Sequence, residues 1–207
     1  MIIKVNKDGY VAKPKIIVTG QMTGTDLCKD GPGVVTFTGT GGQKPYTFYY
    51  TIDGGETQSV STTGENSSVT VNVNTDTVTT ITYVLLSIED ANSIRGSILG
   101  SNTLAINIFA LPTASISVTT TVNQGDPEPD VTFTATGTPG NQSRFTYKHS
   151  STGSTNLYVT TALGSAIAKV AQPTGTPGAF TYTLISVMNL DTGCFQSQTG
   201  IVVITVN

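Results

Sequence analysis

Tryptophan is absent, histidine occurs once, cysteine twice, and charged side chains make up only 11% of the 207 residues. Each shortage narrows the classes of function. A sugar-binding platform would normally use Trp, and none is available. A lone His149 with widely separated Cys28 and Cys194 offers no metal-ligand spacing. A hydrolytic triad needs a base held beside a nucleophile, and His149 in "YKHSSTGS" reads as a solvated residue at a hairpin end. The net charge is −3, without an acidic or basic block. That gives no electrostatic footprint for nucleic acid and no Lys/Arg cluster for an anionic membrane. No apolar run approaches the ~18–20 residues of a spanning helix, so membrane insertion is not expected.

What is present in excess is threonine, with 38 residues, against an apolar share of 37%. Thr is β-branched and polar, and suits the wet face of a strand. Most strong segments alternate with period two. "SSVTVNV" sets Val69, Val71 and Val73 on one face, and "VTFT" sets Val35 and Phe37 inward. Gly- and Pro-rich runs such as "GTGGQKP", "DGGE", "GTPGNQS" and "PTGTPG" punctuate the pattern. The nearest approach to a helix is the short "SAIAKVAQ" at 165–172. The composition is that of an all-β, Thr-rich extracellular module. The opening "MIIKVNKDGYVAKPK" lacks the apolar h-region of a signal peptide, so a mature or excised segment is expected rather than a cytosolic protein.

The chain repeats itself. "TGTDLCKDGPGVVTFTGTG" superimposes on "TTTVNQGDPEPDVTFTATG", and "TITYVLLSIEDAN" on "AFTYTLISVMNLD". A period near 100 residues filled with about seven short strands is the signature of an immunoglobulin-like sandwich. The expected fold is all-β: two tandem immunoglobulin-like antiparallel β-sandwiches over 15–111 and 112–207, with 1–14 as an N-terminal strand or tail. Phe37, Phe133, Tyr83 and Tyr182 are expected in the two cores.

With "GGQKPYTFYYTIDGG" (41–55), "TYVLLSIEDAN" and "TYTLISVMNLDTGC", the chain resembles the tandem Ig/PKD-like repeats of large secreted surface adhesins of gliding Bacteroidota. The resemblance covers residues 15–207. It implies type IX secretion, cell-surface display, a part in adhesion or gliding motility, and no enzymatic activity. Repeats of that family carry one Cys before the second strand and one after the sixth. Here the first repeat has Cys28 where the second has Gln124, and only the second has Cys194. If the two sandwiches lie end to end as a rod, the two sulfurs are too far apart to bond, and two unpaired thiols are expected.

Several residues are candidates for chemistry. Asp126, Glu128 and Asp130 in "DPEPD" alternate on an extended run, a candidate cation site with calcium as the ion; otherwise no cofactor is expected. Glu89 and Asp90 are neighbours at a strand end, so they point apart and cap a turn rather than form a hydrolytic pair. Tyr49 is the aromatic of "PYTFYYT" that faces solvent, a candidate ligand surface. Asn66 and Asn141 head sequons, and Thr77 in Asp76-Thr77-Val78 is a candidate O-glycan site.

The expected function is that of a non-enzymatic repeat segment of a cell-surface adhesin or filament, a spacer and contact surface. Its partners would be an extracellular or cell-surface polysaccharide or protein, and neighbouring repeats. Two alternatives differ in class: a carbohydrate-binding module using loops 41–45 and 138–144, and a filament subunit assembled by strand addition through "MIIKVN".

Overall fold

Alternation of inward Val, Ile, Phe and Tyr with outward Thr and Ser produces strands almost everywhere in the computed structural model, which describes residues 17–118, 121–137 and 142–207. The one helical element among them is a 3-10 turn at Ser150–Thr152. The chain divides into two compact units after Ile108. The expected strand or tail at 1–14 lies outside the described residues.

Unit 1 holds β1 (Thr19–Thr23), β2 (Leu27–Cys28), β3 (Val34–Thr40), β4 (Thr47–Ile52), β5 (Gln58–Ser61), β6 (Ser68–Asn72), β7 (Thr80–Glu89), β8 (Ser97–Ile98) and β9 (Thr103–Phe109). One sheet runs β6-β3-β1-β8, the other β2-β9-β7-β4-β5. Unit 2 holds β10 (Thr113–Ser117), β11 (Thr121–Val122), β12 (Asp130–Thr136), β13 (Ser143–His149), β14 (Leu157–Thr160), β15 (Ile167–Ala171), β16 (Gly178–Asn189) and β17 (Phe195–Val206). Its sheets run β10-β12-β15 and β11-β17-β16-β13-β14. In both units the first strand pairs antiparallel in the smaller sheet. The chain then crosses, and a two-residue continuation joins the edge of the five-stranded sheet. In unit 2 that edge pairing is parallel, Thr121 opposite Thr205. Each unit is an immunoglobulin-like sandwich.

Each core lies between its own two sheets. Phe37, Phe48, Tyr50, Tyr83 and Leu85 fill the first, and Phe133, Phe145, Tyr147, Tyr182 and Leu184 the second. The rings repeat closely. Phe37 lies 5.5 Å from Phe48 and 4.9 Å from Tyr50, and Phe133 lies 5.5 Å from Phe145 and 5.0 Å from Tyr147. Offset and tilted contacts of this kind add about 0.5–1.5 kcal/mol each beyond burial. The polar devices repeat too. Buried Thr62 accepts the Tyr46 N–H at 2.9 Å through its Oγ1, and buried Thr161 accepts the Ser143 N–H at 3.0 Å. Thr75 Oγ1 donates to the Gly31 carbonyl at 2.8 Å, and Thr174 Oγ1 to that of Asp126 at 2.6 Å.

"SAIAKVAQ", the nearest approach to a helix in the sequence, is a strand: its Ile167–Ala171 stretch is β15, in register with β12 from Asp130 opposite Ala171 to Thr134 opposite Ile167. The expectation of free thiols fails. Cys28 and Cys194 are both disulfide-bonded, and Cys194 is fully buried. The expectation of free thiols followed from an assumed end-to-end placement of the two units. Strand periodicity does not carry that assumption.

Candidate functional site

The two units differ at one matched end of the sandwich, where the end of β4 faces the start of β7 in unit 1 and the end of β13 faces the start of β16 in unit 2. In unit 1, Ile52 closes β4 directly opposite Tyr83 on β7. Asp53 and Gly54 follow, both left-handed (φ 50° and 70°), a pattern matching the type I′ turn that suits the twist of flanking strands. The turn is fastened to β7 at both polar groups of Asp53. Its N–H donates to the Thr82 carbonyl at 2.8 Å, and its Oδ1 accepts the Thr82 N–H at 2.7 Å. Across from it, β6 ends at Asn72, and Asn74 Oδ1 accepts the Asp76 N–H at 2.9 Å, shaping the loop toward β7. Between these elements lies a hollow of about 350 Å³. Ile52, Ile81 and Tyr83 form its apolar base, and Asp53, Asn72 and Asn74 its exposed polar rim.

In unit 2 the same end is filled by polar and aromatic groups. His149 occupies the place of Ile52, directly opposite Tyr182. Its ring stacks on Phe180 at 5.9 Å with planes 9° apart. Gln172 is 2% exposed and sits at the centre of a hydrogen-bonded group. Its Oε1 accepts the Tyr182 hydroxyl at 2.8 Å and lies 3.2 Å from His149 Nε2, while its Nε2 donates to the Pro173 carbonyl at 2.8 Å. Ser151 Oγ lies 2.6 Å from His149 Nδ1. Every polar atom of the Gln172 side chain is therefore engaged, as a buried amide requires. Burial pushes the Tyr182 hydroxyl up to about 12, with the neighbouring Tyr147 adding to the effect. The hollow left here is about 210 Å³. The expectation of a solvated loop histidine is corrected: His149 ends a strand, is half-buried and is hydrogen-bonded.

The other candidates fall at scattered places. Asp90 is a turn cap. Its carboxylate accepts the backbone N–H groups of Gln43, Asn92 and Ile94, each at 2.9 Å. The Gln43 bond foremost holds this carboxyl below its ordinary range, against the desolvation that raises it, and the Ile94 and Asn92 bonds act in the same direction as Gln43. Gly42, at φ +68°, makes the approach possible: a Cβ there would stand 2.5 Å from Asp90 Oδ2. This links the Gly-Gly of "GGQKPY" to the "EDAN" turn. Glu89 instead pairs with Arg95 at 2.8 Å and accepts the Tyr49 hydroxyl at 3.3 Å. Tyr49 is therefore half-buried and tethered on the outer face of its sheet. Thr77 is exposed and lines the unit 1 hollow.

The three acids of "DPEPD" do not act together. Asp126 accepts the Asn123 N–H at 2.8 Å within a turn, and Asp130 pairs with Lys169 at 2.9 Å across β12 and β15. Glu128 is exposed. No group of three or more His, Cys, Asp or Glu side chains able to hold a metal occurs among the described residues. No described helix is long and apolar enough to cross a membrane. Asn66 is exposed, and its amide donates to Thr63 Oγ1 at 3.2 Å. Asn141 lies outside the described residues.

Asp53, Asn72, Asn74 and Gln172 were not singled out by the sequence pattern. Aligning the two copies carries the signal: Ile52 and Val73 of one copy correspond to His149 and Gln172 of the other. A polar residue replacing an apolar one at an inward position marks a change of local design.

No family model matches the chain, and no curated protein matches it. Solved structures share its build at low identity. The fibronectin(III)-like modules of Clostridium thermocellum CbhA align over 87% of this chain and 93% of theirs, at 11% identity and a TM-score of 0.44. Titin domains I67–I69 align over 93% and 64%, at 12% identity and a TM-score of 0.48. The BSP domain of a biofilm-associated protein aligns over 92% of this chain but 30% of its own, at 18% identity and a TM-score of 0.29. The strand pairing described above makes each unit a two-sheet sandwich.

Proposed function

We propose that the chain is a non-enzymatic pair of immunoglobulin-like repeats from an extracellular surface adhesin or filament, serving as spacer and contact surface in adhesion or gliding motility. One observation carries this reading: the same core is built twice, down to matched ring spacings and matched buried threonine hydroxyls. Self-contained repeats suit a chain whose task is to present surface rather than to build a single catalytic cleft. The disulfide-bonded cysteines support an oxidising compartment. The Thr-rich, charge-poor outer faces support contact with neutral partners such as polysaccharide or protein.

The test uses the source cell. Antibody against this chain is applied to intact cells, and an in-frame deletion of its coding segment is assayed for attachment and surface translocation. Labelling of intact cells together with loss of attachment or translocation is the expected result. Labelling only after permeabilisation would contradict the reading.

A further inference from the structure

We propose that the hollow of unit 1, between Ile52–Asp53 and Asn72–Tyr83, is a binding subsite for a single neutral pyranose ring. The size fits: about 350 Å³ stands at the lower end of the ~300–1,000 Å³ of small-ligand sites. The chemistry fits as well. The base is apolar: half-buried Ile52 offers the accessible surface for the C–H face of a sugar, and the buried Ile81 and Tyr83 close the floor behind it. The rim carries amides and hydroxyls. An amide presents a donor and an acceptor side by side, which is what a pair of neighbouring sugar hydroxyls needs. The side chains of Asn72, Thr77 and Thr79 form no hydrogen bond to another described residue. Asn74 uses only its Oδ1 on Asp76, which leaves its two Nδ2 hydrogens as donors.

Charge narrows the ligand class. Asp53 is the charged residue of the lining, and no Lys or Arg accompanies it, so an anionic ligand would meet repulsion without a partner. The Asp53 carboxylate is already held by the Thr82 N–H through Oδ1, which fixes Oδ2 at the rim as an acceptor for a sugar O–H. The Asp53 side of the rim is held in place before any ligand arrives, because that turn is bonded to β7 at both N–H and carboxylate. Preorganisation of this kind lowers the cost of binding. Unit 2 supplies the contrast. There His149, Gln172 and Phe180 fill the matched end and leave about 210 Å³, below the small-ligand range. The subsite does not rest on the spacer reading: a repeat with no sugar in this hollow would remain a spacer.

The test is a titration of the intact, isotope-labelled chain with methyl β-glucopyranoside, methyl β-galactopyranoside and the methyl glycoside of N-acetylglucosamine at millimolar concentration, followed by amide NMR. Saturable shifts with at least one glycoside, confined to Ile52, Asp53 and the 72–83 segment, are expected. Asn72→Ala, an exposed change, should weaken binding about tenfold, the loss of one good hydrogen bond. Ile81→Phe, which copies Phe180, should abolish it while the rest of the spectrum stays folded. The proposal is overturned if none of the three glycosides gives saturable shifts, if equal shifts appear around His149 and Gln172, or if both variants bind as the parent chain does.

Discussion

Unit 1 ends its core with Ile52, Val73 and Ile81, and unit 2 ends it with His149, Gln172 and Phe180, yet the ring cluster behind these residues is the same in both. The strand that follows differs too. In unit 1 the last strand is split: β8 pairs parallel with β1 of the opposite sheet, and β9 then returns to β7. In unit 2 the last strand is the continuous β17, running beside β16 from Val206 opposite Gly178 to Phe195 opposite Met188. The edge of β10 that has no counterpart of β8 is met by a side chain instead, with Gln198 Oε1 accepting the Ala114 N–H at 3.1 Å. The centre of the sandwich tolerates little change, because fully buried rings leave no slack. Its ends and edges admit two solutions, one apolar or backbone-paired, the other built on side-chain hydrogen bonds.

The largest test of that comparison is at the shared centre. Phe37→Ala and Phe133→Ala should each cost their own unit roughly 3–5 kcal/mol, the usual loss for a fully buried Phe. Denaturant unfolding followed by unit-specific NMR signals would check this. A cost under ~1 kcal/mol in either unit would break the equivalence of the two cores. The next effect lies at the polar end. Gln172→Val strands the Tyr182 hydroxyl and His149 Nε2, and should cost about 1–3 kcal/mol. Adding His149→Ile and Tyr182→Phe should recover most of that loss, since removing all partners together leaves nothing unsatisfied. No recovery would mean the network does more than satisfy itself.

Two smaller effects depend on pH and have opposite signs. The Asp90 carboxyl is depressed in the fold, so its contribution is complete above the ordinary carboxylate range of about 3.9 and fades as pH falls through the depressed value. Unit 2 has Asn189 at this turn, whose Oδ1 accepts the Asp191 N–H at 3.0 Å and carries no charge. Acid should therefore weaken unit 1 more than unit 2 at this corner, and Asp90→Asn should remove the difference. Equal acid sensitivity in Asp90→Asn and the parent would remove the cap from the account. Tyr182 is the reverse case. Its folded value is raised to about 12, so its contribution is present below the ordinary value of about 10 and is lost as pH rises from there toward 12. Ultraviolet titration should show a tyrosine of unit 2 ionising near 12, and one ionising near 10 at this site would contradict the burial.

Much of this architecture can be read from residues. Val35-x-Phe37 and Val131-x-Phe133 announce inward positions by their period, and all four are fully buried. "GGQKPY" and "EDAN" announce turns, and Gly42 and Asp90 show why the two belong together. Two things were not legible. The state of Cys28 and Cys194 depends on long-range geometry, and denatured, unreduced protein should take up no thiol reagent. The unit 1 hollow arises from side chains that are small relative to their counterparts, Ile81 against Phe180, which appears only once the two copies are laid over each other.

The chain holds two self-contained cores. Residue-resolved amide exchange of the intact protein tests this most directly. It should show two separate sets of slowest amides, one around Val35, Phe37 and Leu85 and one around Val131, Phe133 and Leu184, with faster exchange in the loops between them. A single protected set confined to one unit, with the other exchanging freely throughout, would contradict it.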